Sequence, residues 1–332
     1  MKKLFVSLVA LVVATMSYAQ SNLVATLSHE GEISVFHGIN SLQQAMAAAD
    51  HGDIITLASG RYNATNITKA ITLRGAGIEA DDTSTGAART EIVGGFIIDI
   101  PETDKHLTME GIYHNGEIRI AGTLNNALLQ KCRFNHISYS GSAKINSMTC
   151  IHCKITESMN LSYTNNATAK FINCVVKRPY NQHWNNSDDN GNLEFTNCII
   201  LGQVDNVNKS YFQNCILNVS DKLRNTNMAT YCAGYTTDSA GSPFANLATQ
   251  STNKVLTQEQ LNVLFKSGTY YELTDEAKAE YVGIDDKEIG IYGGNLPWDV
   301  YIPSPQITKC NVAAKTTADG KLSVDIEVKA AE

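Results

Sequence analysis

The sequence predicts an all-β chain wound into a parallel β-helix, a solenoid of short strands joined by bends. Three observations carry that expectation. Charged residues make up only 18% of the 332 residues, against about 25% in ordinary soluble proteins. Asn, Thr, Ser and Gly supply the polar balance, which suits turns and pleated surfaces and works against a helical bundle. The second observation is a repeat: Cys132, Cys153, Cys174, Cys198 and Cys215 follow one another at 21, 21, 24 and 17 residues. A fixed period near twenty marks a repeat architecture. The third is a shared local frame around each cysteine. A large apolar residue stands three before it and another apolar residue two after it, as in Phe171-Ile-Asn-Cys174-Val-Val176 and Phe195-Thr-Asn-Cys198-Ile-Ile200. Spacing by two fits a strand with one face in a core. Spacing by three breaks that period, so a bend lies between the two apolar positions.

The elements follow in chain order. Met1-Lys2-Lys3, the apolar run from Leu4 to Met16 and Ser17-Tyr18-Ala19 have the plan of a secretory signal peptide, residues 1–19. Its removal takes away two lysines and no acids, so a formal charge of -7 becomes -9. An exported, acidic chain is poorly suited to nucleic acid, and membrane insertion is not expected. Ser41-Leu-Gln-Gln44 opens a capping helix over 41–50, with Leu42, Met46 and Ala49 on one face. Gly52 to Tyr62 then reads as strand, turn and strand. In the frames, the slot just before the cysteine holds Asn173, Asn197 and Asn214, and Gly75 and Gly111 fill it in two earlier frames. Asn and Gly both accept the left-handed backbone such a bend demands. Stacked rungs would place Asn173, Asn197 and Asn214 in a corner ladder whose side chains bond along the stack. The five cysteines would form an internal ladder of reduced thiols. Cys232 and Cys310 lie outside the frames, and their state stays open. Thr257-Gln-Glu-Gln260 begins a second helix over 257–265. A linker is expected over 295–305. A β-hairpin tail is expected over 306–332, where Leu322, Val324, Ile326 and Val328 alternate with polar residues.

Gly52-Asp53, Gly60-x-Tyr62, Ile71-Thr-Leu-Arg-Gly75, the Asn-Cys-x-Ile rungs and the closing Ile289-Gly-Ile-Tyr292 resemble the secreted right-handed parallel β-helix proteins of the pectate-lyase-like superfamily. The resemblance spans roughly residues 36 to 294 and implies a right-handed solenoid domain over 20–294. It implies polysaccharide as the ligand class. The superfamily's recognised catalytic motifs are not matched: Asp188-Asp189 is present without the accompanying Gly-His-Gly, and Lys177-Arg178-Pro179 matches only part of the lyase arginine loop. If the chain were a lyase or hydrolase, Lys177 or Arg178 would be the base, and Asp188 and Asp189 would be acids or calcium ligands.

The segment from Lys177 to Asn192 lengthens one rung and concentrates Arg178, Tyr180, Gln182, His183, Trp184 and Asp188. Aromatic faces beside hydrogen-bonding groups suit a sugar ring, so these residues are the expected ligand contacts. The plainer alternative is a polar loop whose Trp184 packs back on the rungs. Asn186, Asp188 and Asn190 before Gly191 imitate part of a calcium loop. The expected acidic final ligand is missing, so no cofactor is expected and calcium is the weak exception. Cys150-x-x-Cys153 imitates half a zinc or redox site, but the frame explains both thiols as ladder positions. His114, His136 and His183 read as solvated. The leading expectation is a non-catalytic exported scaffold that contacts carbohydrate. A divergent lyase or hydrolase, and an adhesion or assembly subunit docking a protein partner through the tail, are the alternatives.

Overall fold

The computed structural model describes residues 23–79, 89–140, 143–161, 168–181, 192–204 and 206–300, with strands at Gln306–Val312 and Val324–Lys329. The expected signal peptide lies outside the described residues. The chain is an all-β parallel solenoid of about eight turns with three short helices. Two long sheets run along it. The first stacks Ile54–Leu57, Thr72–Arg74, Thr108–Glu110, Ala127–Gln130, Ser147–Ile151, Thr168–Ile172, Asn192–Thr196, Tyr211–Gln213 and Met228–Thr230 in parallel register. The second stacks Ile112–Ile120, Arg133–Tyr139, Lys154–Asn160, Val175–Lys177, Ile199–Gly202, Ile216–Val219 and Ala233–Thr236.

The expected ladders form inside. Phe171 stacks on Phe195 with ring centroids 5.1 Å apart, and Phe195 on Phe212 at 4.9 Å. The seven described cysteines from Cys132 to Cys232 are free and buried, and four of their backbone amides donate to the sulfur of the next rung: Cys153 to Cys174 at 3.3 Å, then Cys174 to Cys198, Cys198 to Cys215 and Cys215 to Cys232 at 3.4 Å. Cys232 therefore continues the ladder instead of lying outside it. Its frame was hidden because Ala229 fills the Phe slot and Tyr231 the Asn slot. Burial pushes the Cys132, Cys198 and Cys232 thiols up.

The bend slot is left-handed on seven successive rungs: Gly111, Lys131, His152, Asn173, Asn197, Asn214 and Tyr231 have φ between 48° and 65°. Gly75 departs from this, since it is not among the residues at positive φ. Space accounts for it: a Cβ there would fall 2.5 Å from Gly111 O and 2.8 Å from Ile112 Cδ1.

The corner asparagines do not bond along the stack as expected. They hold the C-terminal segment that crosses them. Asn173 Nδ2 donates to Ile291 O at 2.7 Å and Gly293 O at 2.9 Å. Asn214 Oδ1 accepts from Ile284 N, and its carbonyl accepts from Gly290 N. Gly294 lies so close to Asn197 that a Cβ would fall 2.1 Å from Nδ2. His152 Nε2 donates to Leu296 O at 3.0 Å, and Lys131 reaches Asp299 at 2.9 Å. Residues 284–299 thus form a strap over the corners of five rungs. Residues 301–305 of the expected linker over 295–305 lie outside the described residues; the part up to 300 is corrected here, since Leu296 and Asp299 are held by His152 and Lys131 and Trp298 lies 5.4 Å from the Tyr270 ring. An aromatic side chain of that size gains by burial what a free linker would forgo.

Both expected helices are present but shorter. The N-terminal helix, α1, spans Ser41–Ala48 and seats Leu42, Ala45 and Met46 in the core. Its cap is Asn40, and Ser41 Oγ is buried without a partner, so the expected capping box does not form. The second helix, α2, spans Gln258–Asn262 and has the expected box between Thr257 and Gln260. A third, α3 at Asp275–Glu280, was not foreseen, nor was the antiparallel pair Val24–His29 and Glu32–His37 that extends the first sheet. Among the described residues no helix is long and apolar enough to cross a membrane. Residues 301–332 form a separate unit in which Gln306–Val312 pairs antiparallel with Val324–Lys329.

Candidate functional site

The second sheet carries a local irregularity that gathers polar side chains. Along strand Arg133–Tyr139 the register shifts between Phe134 and His136 against both neighbours. Phe134 pairs with His114 and Ile155, yet His136 pairs with Glu117 and Ser158. Each flanking strand therefore carries one extra residue, a bulge on either side of Asn135. Asn135 fills both: it donates to Asn115 Oδ1 at 2.9 Å and accepts from Thr156 Oγ1 at 2.8 Å.

The two bulges bring Glu117, His136 and Ser158 into one row on three successive rungs. Ser158 Oγ lies 2.9 Å from His136 Nδ1. The row lines a shallow depression of about 380 Å³ with Ser138 and Asn160. A second depression, of about 180 Å³, adjoins it through Ser158 and Asn160 and is lined by Arg178, Tyr180, Gln203 and Asn206. Tyr180 is register partner to Asn160. The two depressions form one trough across the rungs, with hydroxyl, amide, imidazole and guanidinium groups and, among the described residues, the phenol face of Tyr180.

Arg178 sits in the trough with φ 45°, an uncommon state for a side chain of that size. It is held there by hydrogen bonds from Arg178 N to Leu201 O and from Met159 N to Arg178 O. A Cβ on Gly202 would come 3.1 Å from Arg178 Cγ, so glycine at 202 leaves that side chain its space. Glu157 Oε2 lies 3.4 Å from Lys177 Nζ and 3.9 Å from an Arg178 terminal nitrogen. The cationic rim thus carries its own counter-charge, and Arg119 and Glu117 add one charge of each sign.

The structure brings together three of the sequence-derived site residues, Lys177, Arg178 and Tyr180. Gln182, His183, Trp184, Asn186, Asp188, Asp189 and Asn190 lie outside the described residues. The described residues on either side of that segment are held by hydrogen bonds: Asn181 Nδ2 donates to Asn208 O, Asn208 N donates back to Asn181 Oδ1, and Leu193 N donates to Ser210 Oγ. His136, read as a solvated residue, is half-buried in the row. His114, read the same way, is buried: Nδ1 lies 2.8 Å from Ile92 O, and its ring meets Phe96 edge-on. Glu117, Ser158 and Asn160 were missed. Their spacing of 19 and 22 residues from 117 to 136 to 158 follows no uniform repeat, because the bulges absorb the difference.

No family profile, curated protein or solved structure matches this chain.

Proposed function

We propose that this chain is an exported scaffold that holds carbohydrate in the trough of its second sheet. The trough itself is the observation that carries the reading. Extended and shallow, it offers Asn160, Ser138 and Gln203 as hydrogen-bonding groups, Arg178 as a planar donor and Tyr180 as a stacking face. A sugar needs that mixture, an apolar ring face with hydroxyls around its edge. Opposite charges are paired at the rim, which favours a neutral or mixed-charge glycan over a polyanion. The signal-peptide pattern supports export. The repeat frames support a right-handed helix of the pectate-lyase-like superfamily, and right-handed crossovers are the rule for parallel strands.

Affinity electrophoresis through gels containing a panel of neutral and acidic polysaccharides tests this. The parent protein should be retarded by at least one neutral or mixed-charge polymer, and Tyr180→Ala and Asn160→Ala should both run freely in it. A parent that no polymer retards, or variants retarded as strongly as the parent, would refute the reading.

A further inference from the structure

The row Glu117, His136, Ser158 exists only because two bulges coincide. Continuing the register from Phe134 without interruption would set His136 opposite Gly116 and Glu157. The extra residue on each flank replaces that pair with Glu117 and Ser158. Bulges re-aim side chains and are frequent beside active sites. What they build here is a hydroxyl in hydrogen-bond contact with an imidazole, 2.9 Å from Oγ to Nδ1, on a half-buried surface open to the trough. Nucleophilic catalysis by serine starts from that contact.

We propose that Ser158 is a nucleophile activated by His136, and that the trough removes acyl groups esterified to the glycan it holds. The substrate class rests on the carbohydrate reading above; the Ser158–His136 pair rests on the bulge geometry alone. With the His136 proton on Nε2, Nδ1 accepts the Ser158 proton as Oγ attacks the ester carbonyl carbon. The tetrahedral adduct collapses, the carbon–oxygen bond to the sugar breaks, and the proton on Nδ1 passes to the departing sugar oxygen. Water, deprotonated by the same nitrogen, then attacks the acyl-serine. The carboxylic acid leaves, and Ser158 regains its proton. No other reactant is consumed. Arg178 lines the depression that contains Ser158, and in this proposal its guanidinium N–H groups stabilise the negative charge that develops on the carbonyl oxygen. Glu117 occupies the rung on the other side of His136, where a carboxylate favours the imidazolium that forms.

The test combines covalent labelling with product release. Full-length protein is treated with a fluorophosphonate probe and mapped by peptide mass spectrometry. In parallel, acetate release is followed from O-acetylated polysaccharides and from an aryl acetate. The expected result is a single adduct on Ser158 with acetate release from the polysaccharide. His136→Ala should lower both by about 100-fold, the lower range for loss of a general base. Ser158→Cys guards against a variant that merely unfolds: its new thiol should alkylate with iodoacetamide faster than in the Ser158→Cys, His136→Ala double variant. No Ser158 adduct, or labelling and release that His136→Ala leaves unchanged, overturns the proposal. Polysaccharide binding without acetate release overturns it and leaves the carbohydrate reading standing. Ser158 labelling and aryl acetate hydrolysis by a protein that no polysaccharide retards would support the pair and overturn the glycan as its substrate.

Discussion

Asn173 separates two roles of the corner slot, and substituting it by both alanine and glycine measures each. Its backbone is left-handed at φ 48°, and its buried amide donates to Ile291 O and Gly293 O. Asn173→Gly keeps the conformation at no steric cost and removes both bonds. Each is worth about 0.5–1.5 kcal/mol net, so the loss should be roughly 1–3 kcal/mol. Asn173→Ala loses the same bonds and must also hold a Cβ in the left-handed region, at about 1–2 kcal/mol more. At an ordinary position glycine is the more destabilising of the two by about 0.5–1 kcal/mol, through its freedom in the unfolded chain. The account therefore predicts an inverted order, with alanine the worse. Urea unfolding followed by circular dichroism, with equal slopes required across the series, gives the comparison. If glycine proves the worse of the two, the slot is not left-handed. If both variants match the parent, the strap is not held by this residue.

Gly75→Ala should destabilise strongly although its backbone is ordinary, because the new Cβ would fall 2.5 Å from Gly111 O; a melting temperature equal to the parent's would contradict that packing. The ladder thiols Cys132, Cys150, Cys153, Cys174, Cys198, Cys215 and Cys232 should resist alkylation in native protein and all react in guanidinium; rapid native labelling would contradict their burial. His29 lies 3.0 Å from both Asp53 carboxylate oxygens, and this hydrogen bond raises its pKa above 6.5. The stability it lends is fully present below pH 6.5 and is lost as pH rises through the raised folded value. A His29 titration by NMR should sit above 6.5 in the parent and fall toward it in Asp53→Asn; no change between the two would refute the pairing.

The interior was legible because every rung solves one packing problem with the same chemistry. A Phe and a Cys at fixed separation reveal a column wherever both recur, and the stacked rings at 171, 195 and 212 are the outcome. The corner was only partly legible. Asn and Gly announce a left-handed bend, while Lys131 and Tyr231 adopt it without any local preference for it and His152 with a weaker one. At Lys131 and His152 the strap supplies contacts that offset the strain, through Asp299, Leu296 and Trp298, and those partners lie about 140 residues or more further on. The trough was the least legible part. Lys177, Arg178 and Tyr180 stood out by composition, but the row at 117, 136 and 158 depends on two bulges that spacing arguments treat as noise. Ser, His and Glu are each unremarkable in sequence, and only the shifted register joins them.

Hydrogen–deuterium exchange with and without a retarding polysaccharide tests the placement of the site most directly. The account predicts added protection in Arg133–Tyr139, Lys154–Asn160 and the segment through Pro179-Tyr180, with the first-sheet strands Thr168–Ile172 and Tyr211–Gln213 unchanged. Protection confined to the first sheet or to the paired strands Gln306–Val312 and Val324–Lys329, with the second sheet unaffected, would contradict it.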